Sequence, residues 1–168
     1  MPPMRSVPLD LSLEQEQYDR LLARMRRKYV PLVYPFGTNG FALAAGLNRC
    51  FKRWEVPCRV RWGVPSALFW ETMEHMLRED IPVILSVGMN FPKVWEKDKL
   101  NFYRVCGENP AVSNQVRAHF VVVTGLDEGW MQISTWGQAR YIRRAEYDEF
   151  RKNHSGTLLS NLLYVRKI

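Results

Sequence analysis

The sequence has few of the residues that hold a small fold together covalently or through a metal. Its three cysteines, Cys50, Cys58 and Cys106, are an odd number without a CxxC pair. That pattern predicts neither a disulfide framework nor a cysteine zinc site. The histidines, His75, His119 and His154, are scattered and show no HExxH spacing, so no metal and no cofactor are expected. No apolar run approaches the roughly 18 residues that mark a membrane span. Residues 1–8 lack the apolar core of a secretory signal. These absences predict a reduced, cytoplasmic domain with no membrane partner. There is no internal repeat and no low-complexity tract.

What is present suits a packed core. The chain has 168 residues, 46% of them apolar and 24% charged, and a chain of that size removes roughly 70% of its unfolded surface from water. Lys and Arg number 24 against 17 Asp and Glu, a formal net charge of +7, which favours anionic partners. Basic clusters at Arg49-Lys52-Arg53, Arg59-Arg61, Arg140-Arg143-Arg144 and Arg151-Lys152 alternate with Phe51, Trp54, Trp62 and Tyr141. Cations beside aromatics serve single-stranded nucleic acid through phosphate contact and base stacking. Outward charges beside core aromatics give the same pattern, and no RNA-binding or helix-turn-helix motif singles out nucleic acid.

Residues 1–11 contain three prolines and predict an extended arm, followed by a single domain over 12–168. Ser12 and Gln15 form a capping-box pattern. Leu13, Tyr18, Leu21, Leu22 and Met25 then recur at helical spacing, which predicts a helix over 12–28. Arg24, Arg26, Arg27 and Lys28 at its end complement the helix dipole or form an anion-binding patch. Residues 31–40 carry two prolines and two glycines and read as a loop. The small residues Ala42, Ala44, Ala45 and Gly46 predict a closely packed helix over 40–53, with Cys50 inside it. A short strand over 58–62, a helix over 66–79 capped by Ser66, and a buried strand over 81–87 follow. Residues 89–116 read as a long loop. Strands at 119–125, 130–135 and 139–142 come next, joined by turns at Asp127-Glu128-Gly129 and at Gly137-Gln138. A short helix over 145–151 and a strand over 158–165 complete an α+β layout, with helices packed on a small antiparallel sheet.

Three segments then stand in a telling order. Gly37-Thr38-Asn39-Gly40-Phe41-Ala42-Leu43 is a tight loop opening a small-residue helix. Ala118-His119-Phe120-Val121-Val122-Val123-Thr124-Gly125 is a histidine at the head of an apolar strand. Ile133-Ser134-Thr135-Trp136-Gly137 is a strand end with a Trp-Gly pair. This order resembles the papain-like cysteine peptidases, in particular the bacterial branch that processes leader peptides. The resemblance implies a papain-like α+β fold. It places His119 as the family histidine and Ser134 at the orienting Asn/Asp position, just before Trp136 and Gly137. The nucleophile position falls on Gly40, or in a shifted alignment on Asn39 or Thr38. The oxyanion glutamine falls near Tyr34.

None of those three positions is a cysteine, and Tyr34 is not a glutamine. A Cys–His pair works because the imidazole stabilises a thiolate that a helix N-terminus also favours. Glycine offers no nucleophile, and serine orients an imidazole weakly. The resemblance therefore implies a protein without peptidase activity. His119 and Ser134 would be relic catalytic positions, and a degenerate cleft formed by Asn39, Gly40, Phe41 and Trp136 would bind a peptide or protein. Two alternatives stay open. One is an active hydrolase or transferase using His119 with another nucleophile, for which Cys106 in its loop is the candidate. The other is a basic nucleic-acid-binding module.

Overall fold

The computed structural model describes residues 15–30, 38–88, 98–154 and 159–168, with 154 and 159 by backbone alone. The expected arm, the capping box at Ser12, Tyr34 and the first part of the 89–116 segment lie outside the described residues. The elements in chain order are α1 (Gln15–Lys28), α2 (Gly40–Arg53), β1 (Cys58–Pro65), α3 (Phe69–Arg78), β2 (Val83–Val87), β3 (Leu100–Tyr103), β4 (Val112–Val116), β5 (His119–Leu126), β6 (Trp130–Thr135), β7 (Gln138–Arg143), α4 (Arg144–His154) and β8 (Leu159–Lys167). The strands form an eight-stranded antiparallel sheet in the order β1-β8-β2-β5-β6-β7-β3-β4. The α+β class is as the sequence predicts, but the sheet is not small. Part of the enlargement comes from the segment read as a loop, which contributes β3 and β4. Leu100, Phe102 and Tyr103 are buried there although the run is only four residues long.

Two compact units divide the chain: Gly63–Tyr164 forms one, and 15–62 with Val165–Ile168 the other. The larger unit owes its core to strict alternation. In β2, Val83, Leu85 and Val87 are buried, while Ile84 and Ser86 are half-buried. In β5, Val121 and Val123 are buried; in β6, Met131, Ile133 and Thr135 are. Antiparallel pairing sets Val83 opposite Val123, Leu85 opposite Val121 and Val87 opposite His119, so these side chains share one face. Phe69, Met73 and Met76 of α3 and Tyr147 and Phe150 of α4 are buried, and the Phe69 and Tyr147 rings stack at 5.4 Å.

The start of α3 differs from expectation. Ser66–Leu68 form a 3-10 turn and the α-helix begins at Phe69. Ser66 is not its N-cap, since the Ser66 hydroxyl is buried without a hydrogen-bond partner. The turn after β6 also shifts by one residue. Trp136 and Gly137 occupy it, with Thr135 and Gln138 as the flanking pair, rather than Gly137 and Gln138. The hairpin before it is as expected: the Asp127 carboxylate accepts from the Gly129 and Trp130 amides at 2.8 and 2.7 Å, an Asx-type turn.

In the smaller unit, α2 seats against the turn after α1 because Gly46 has no side chain. A Cβ there would lie 2.3 Å from the Tyr29 carbonyl oxygen. Arg49 donates to that same oxygen at 2.9 Å. Asn48 binds β1 as a strand neighbour would, donating to the Val60 carbonyl at 2.8 Å and accepting from the Val60 amide at 2.9 Å. These polar contacts and the small-residue face fix the start of α2, which carries three of the expected site residues.

Candidate functional site around His119

The expected site residues fall in both units. Asn39, Gly40 and Phe41 belong to the smaller one; His119, Ser134 and Trp136 belong to the larger.

At the start of α2, Asn39 is the N-cap, and its side chain accepts from the Ala42 amide at 2.8 Å. This bond satisfies one of the helix's otherwise unpaired first-turn donors. Asn39 is thus employed as a cap, which is a local structural use. Gly40 follows, buried, with the Trp62 indole laid over it. A Cβ at Gly40 would come within 2.2 Å of the ring. Phe41 is 69% exposed and meets the same indole edge-on at 6.3 Å. Gly40, where the resemblance would put a nucleophile, therefore has no room for a side chain while Trp62 keeps this place. The sequence shows a glycine at this position; it does not show that an aromatic ring from β1 lies over it.

In the larger unit His119 opens β5, as the resemblance implies. Its Nε2 lies 2.7 Å from the Thr135 hydroxyl. The imidazole stacks on the Trp136 indole, with centroids 4.5 Å apart and planes 18° from parallel. The Phe102 ring of β3 is a neighbour of this pair, its centroid 6.1 Å from that of Trp136 and its plane tilted by 47°. Ser134 does not take part. It pairs with Val122 on β5 and Ala139 on β7, and alternation sends its side chain to the opposite face from Val121, Thr135 and His119. The hydroxyl bonded to His119 is therefore that of Thr135, one residue on from Ser134. A shift of one residue along a strand always exchanges the two faces.

Trp136 is 57% exposed and has φ +48, followed by Gly137 at φ +68. Positive φ at both central residues is the requirement of a two-residue type I′ hairpin turn, where Asn-Gly is the preferred pair. A bulky side chain at the first position costs on the order of 1–3 kcal/mol. The stacking on His119 holds the ring in place against that cost.

Burial lowers the His119 pKa from its ordinary value, so the imidazole is neutral at neutral pH. Among the described residues no carboxylate and no thiol hydrogen-bonds it. Cys50 is buried in α2, and burial raises its thiol pKa, partly offset by Arg49. Cys58 is partly exposed on β1, and Cys106 is exposed between β3 and β4. A neutral imidazole bonded to a hydroxyl can take a proton, but among the described residues no thiol hydrogen-bonds it as a nucleophile. Among the described residues no three metal-ligating side chains gather.

An open hollow of about 450 Å³ lies elsewhere, lined by Asp98, Asn101, Glu146 and Glu149 among others. Its central carboxylate is already engaged: Glu146 accepts from the Tyr103 hydroxyl at 2.5 Å and from Asn101 at 3.3 Å. Three basic residues of the larger unit are likewise engaged. Arg143 lies over Trp130 and Tyr103, Arg144 over Trp70 and Arg151 over Phe69. These cation–π contacts occupy three of the cations in the clusters seen in the sequence.

Two outcomes follow from this geometry. Gly40→Ala is expected to destabilise the protein in urea unfolding by about 1–3 kcal/mol of overpacking, outweighing the roughly 1 kcal/mol alanine otherwise adds in a helix. Trp62→Ala in the same chain should remove the overpacking part of that loss; a Gly40→Ala protein as stable as its parent would contradict the packing. The His119 resonances, followed by NMR, should titrate below the unperturbed midpoint of about 6.5. Because the folded state resists the proton that the unfolded chain accepts, stability is retained above that midpoint and falls as pH drops through the lowered one. His119→Gln should flatten that acid limb. A midpoint above the ordinary value would refute the burial argument.

Neither a family model, nor a curated protein, nor a solved structure matches this chain, so its functional reading rests on the geometry of His119, Thr135 and Trp136.

Proposed function

We propose that the chain is a non-catalytic papain-like domain that binds a peptide or protein partner against Trp136, using a relic catalytic histidine as a structural support. The observation that carries this reading is the conformation of Trp136. An exposed indole stands at a turn position where asparagine would be less strained, and it is braced from behind by His119. Strain kept at an exposed aromatic favours a binding role over a packing role. The papain-like part of the proposal is supported by the α+β class and by the order of the histidine strand and the Trp-Gly turn.

The chemistry of such a platform is simple. The indole offers one face to His119 and leaves the other for a flat or apolar side chain, a contact worth about 0.5–1.5 kcal/mol beyond the area it buries. The neutral His119 adds no charge, so it does not select for acidic ligands. The stacked pair is pre-organised, which reduces the ordering cost of association.

Trp136→Asn separates the roles. It creates an Asn-Gly turn, so thermal stability should be held or raised, while partner binding should be lost. Peptides enriched on the wild-type protein from a random displayed library serve as the probe. Their affinity is expected to fall at least about tenfold in the variant, as for loss of an aromatic anchor. Peptides that bind both proteins equally, or no enrichment over a surface without protein, would overturn the proposal.

A further inference from the structure

Helix α1 buries none of its residues, yet it is strongly amphipathic. At 3.6 residues per turn, Tyr18, Leu21, Leu22 and Met25 fall within an arc of about 100°. Tyr18, Leu21 and Leu22 are exposed to 46%, 39% and 48%. Five cations, Arg20, Arg24, Arg26, Arg27 and Lys28, occupy the rest of the helix with two carboxylates, Glu16 and Asp19. Arg20 pairs with Glu16. Among the described residues, Arg24, Arg26, Arg27 and Lys28 have no carboxylate partner. Arg24 and Lys28 flank the apolar arc on one side and Arg26 on the other, where long side chains can extend from the edge of an apolar face toward charge.

We propose that α1 is a surface-seeking helix that docks the protein on an anionic lipid bilayer, lying in the plane of the headgroups. Among the described residues no helix is long and apolar enough to cross a membrane; this one would lie on it. Three arguments choose the bilayer over other occupants. The cations flanking the apolar arc complement anionic headgroups, and a basic amphipathic helix of this pattern inserts its apolar face at the headgroup boundary. The exposed apolar stripe is three side chains on a helix about 21 Å long. That is far less surface than the roughly 800 Å² per partner of a stable dimer. Binding to nucleic acid would use the cations and leave the leucines without a role.

Sedimentation of the full chain with vesicles tests the proposal. The protein should pellet at low salt with phosphatidylcholine vesicles containing phosphatidylserine, and stay in solution with phosphatidylcholine alone. Leu21→Ser with Leu22→Ser should abolish pelleting. Arg26→Gln with Lys28→Gln, the cations nearest the two edges of the apolar arc, should weaken it about 30-fold, the effect of losing two cations near an anionic surface. These positions are exposed, and unchanged thermal melting confirms that the variants fold; should the leucine variant not fold, the cation variant and the lipid dependence decide alone. No pelleting on anionic vesicles overturns the proposal. So does pelleting that the leucine variant retains, or a concentration-dependent dimer in sedimentation velocity that the leucine variant dissolves. Retention on single-stranded nucleic acid without retention on anionic vesicles also overturns it.

Discussion

The register between β5 and β6 is the constraint from which the candidate site follows. Burying Val121 and Val123 with Ile133 and Met131 fixes which residues of each strand face the core. Because side chains alternate, His119 and Thr135 must share that face at its end, and Ser134 must leave it. The hydrogen bond between the imidazole and the Thr135 hydroxyl is a consequence of this packing. So is the position of Trp136, which the two-residue turn sets directly over His119. A slip of one residue would undo the site and the core together.

The sequence carries much of this in local signals. The Asp127-Glu128-Gly129 turn, the histidine at the head of an apolar strand and the small-residue helix from Gly40 are all legible, because each depends on residues close in the chain. The partner of His119 is not. Choosing Thr135 over Ser134 requires the cross-strand register, which no residue near either position states. The short β3 and β4 strands escape for a related reason. Four or five residues carry too little periodicity, and β3 is held by pairing with β7 as well as with β4. Ser66 looks like a helix cap in sequence, but the chain first makes a 3-10 turn after Pro65.

Gly40 illustrates the same limit. Gly40 reads as a substitution in a family pattern. Its structural meaning comes from Trp62, far along the chain, whose ring lies where a side chain would be. Asn39 meanwhile caps α2. The helix start is thus used for packing and capping. Basic residues follow the same division. Arg143, Arg144 and Arg151 are spent on aromatic faces inside the larger unit, whereas Arg24, Arg26, Arg27 and Lys28 of α1 have no carboxylate partner among the described residues.

On the proposed function, His119 supports a binding surface and drives no hydrolysis. The most direct test is prolonged incubation of the protein with a diverse peptide mixture, followed by mass spectrometry. The account predicts a product spectrum identical to that of the His119→Ala protein. New cleavage products that depend on His119 would contradict it and show that a nucleophile reaches the imidazole.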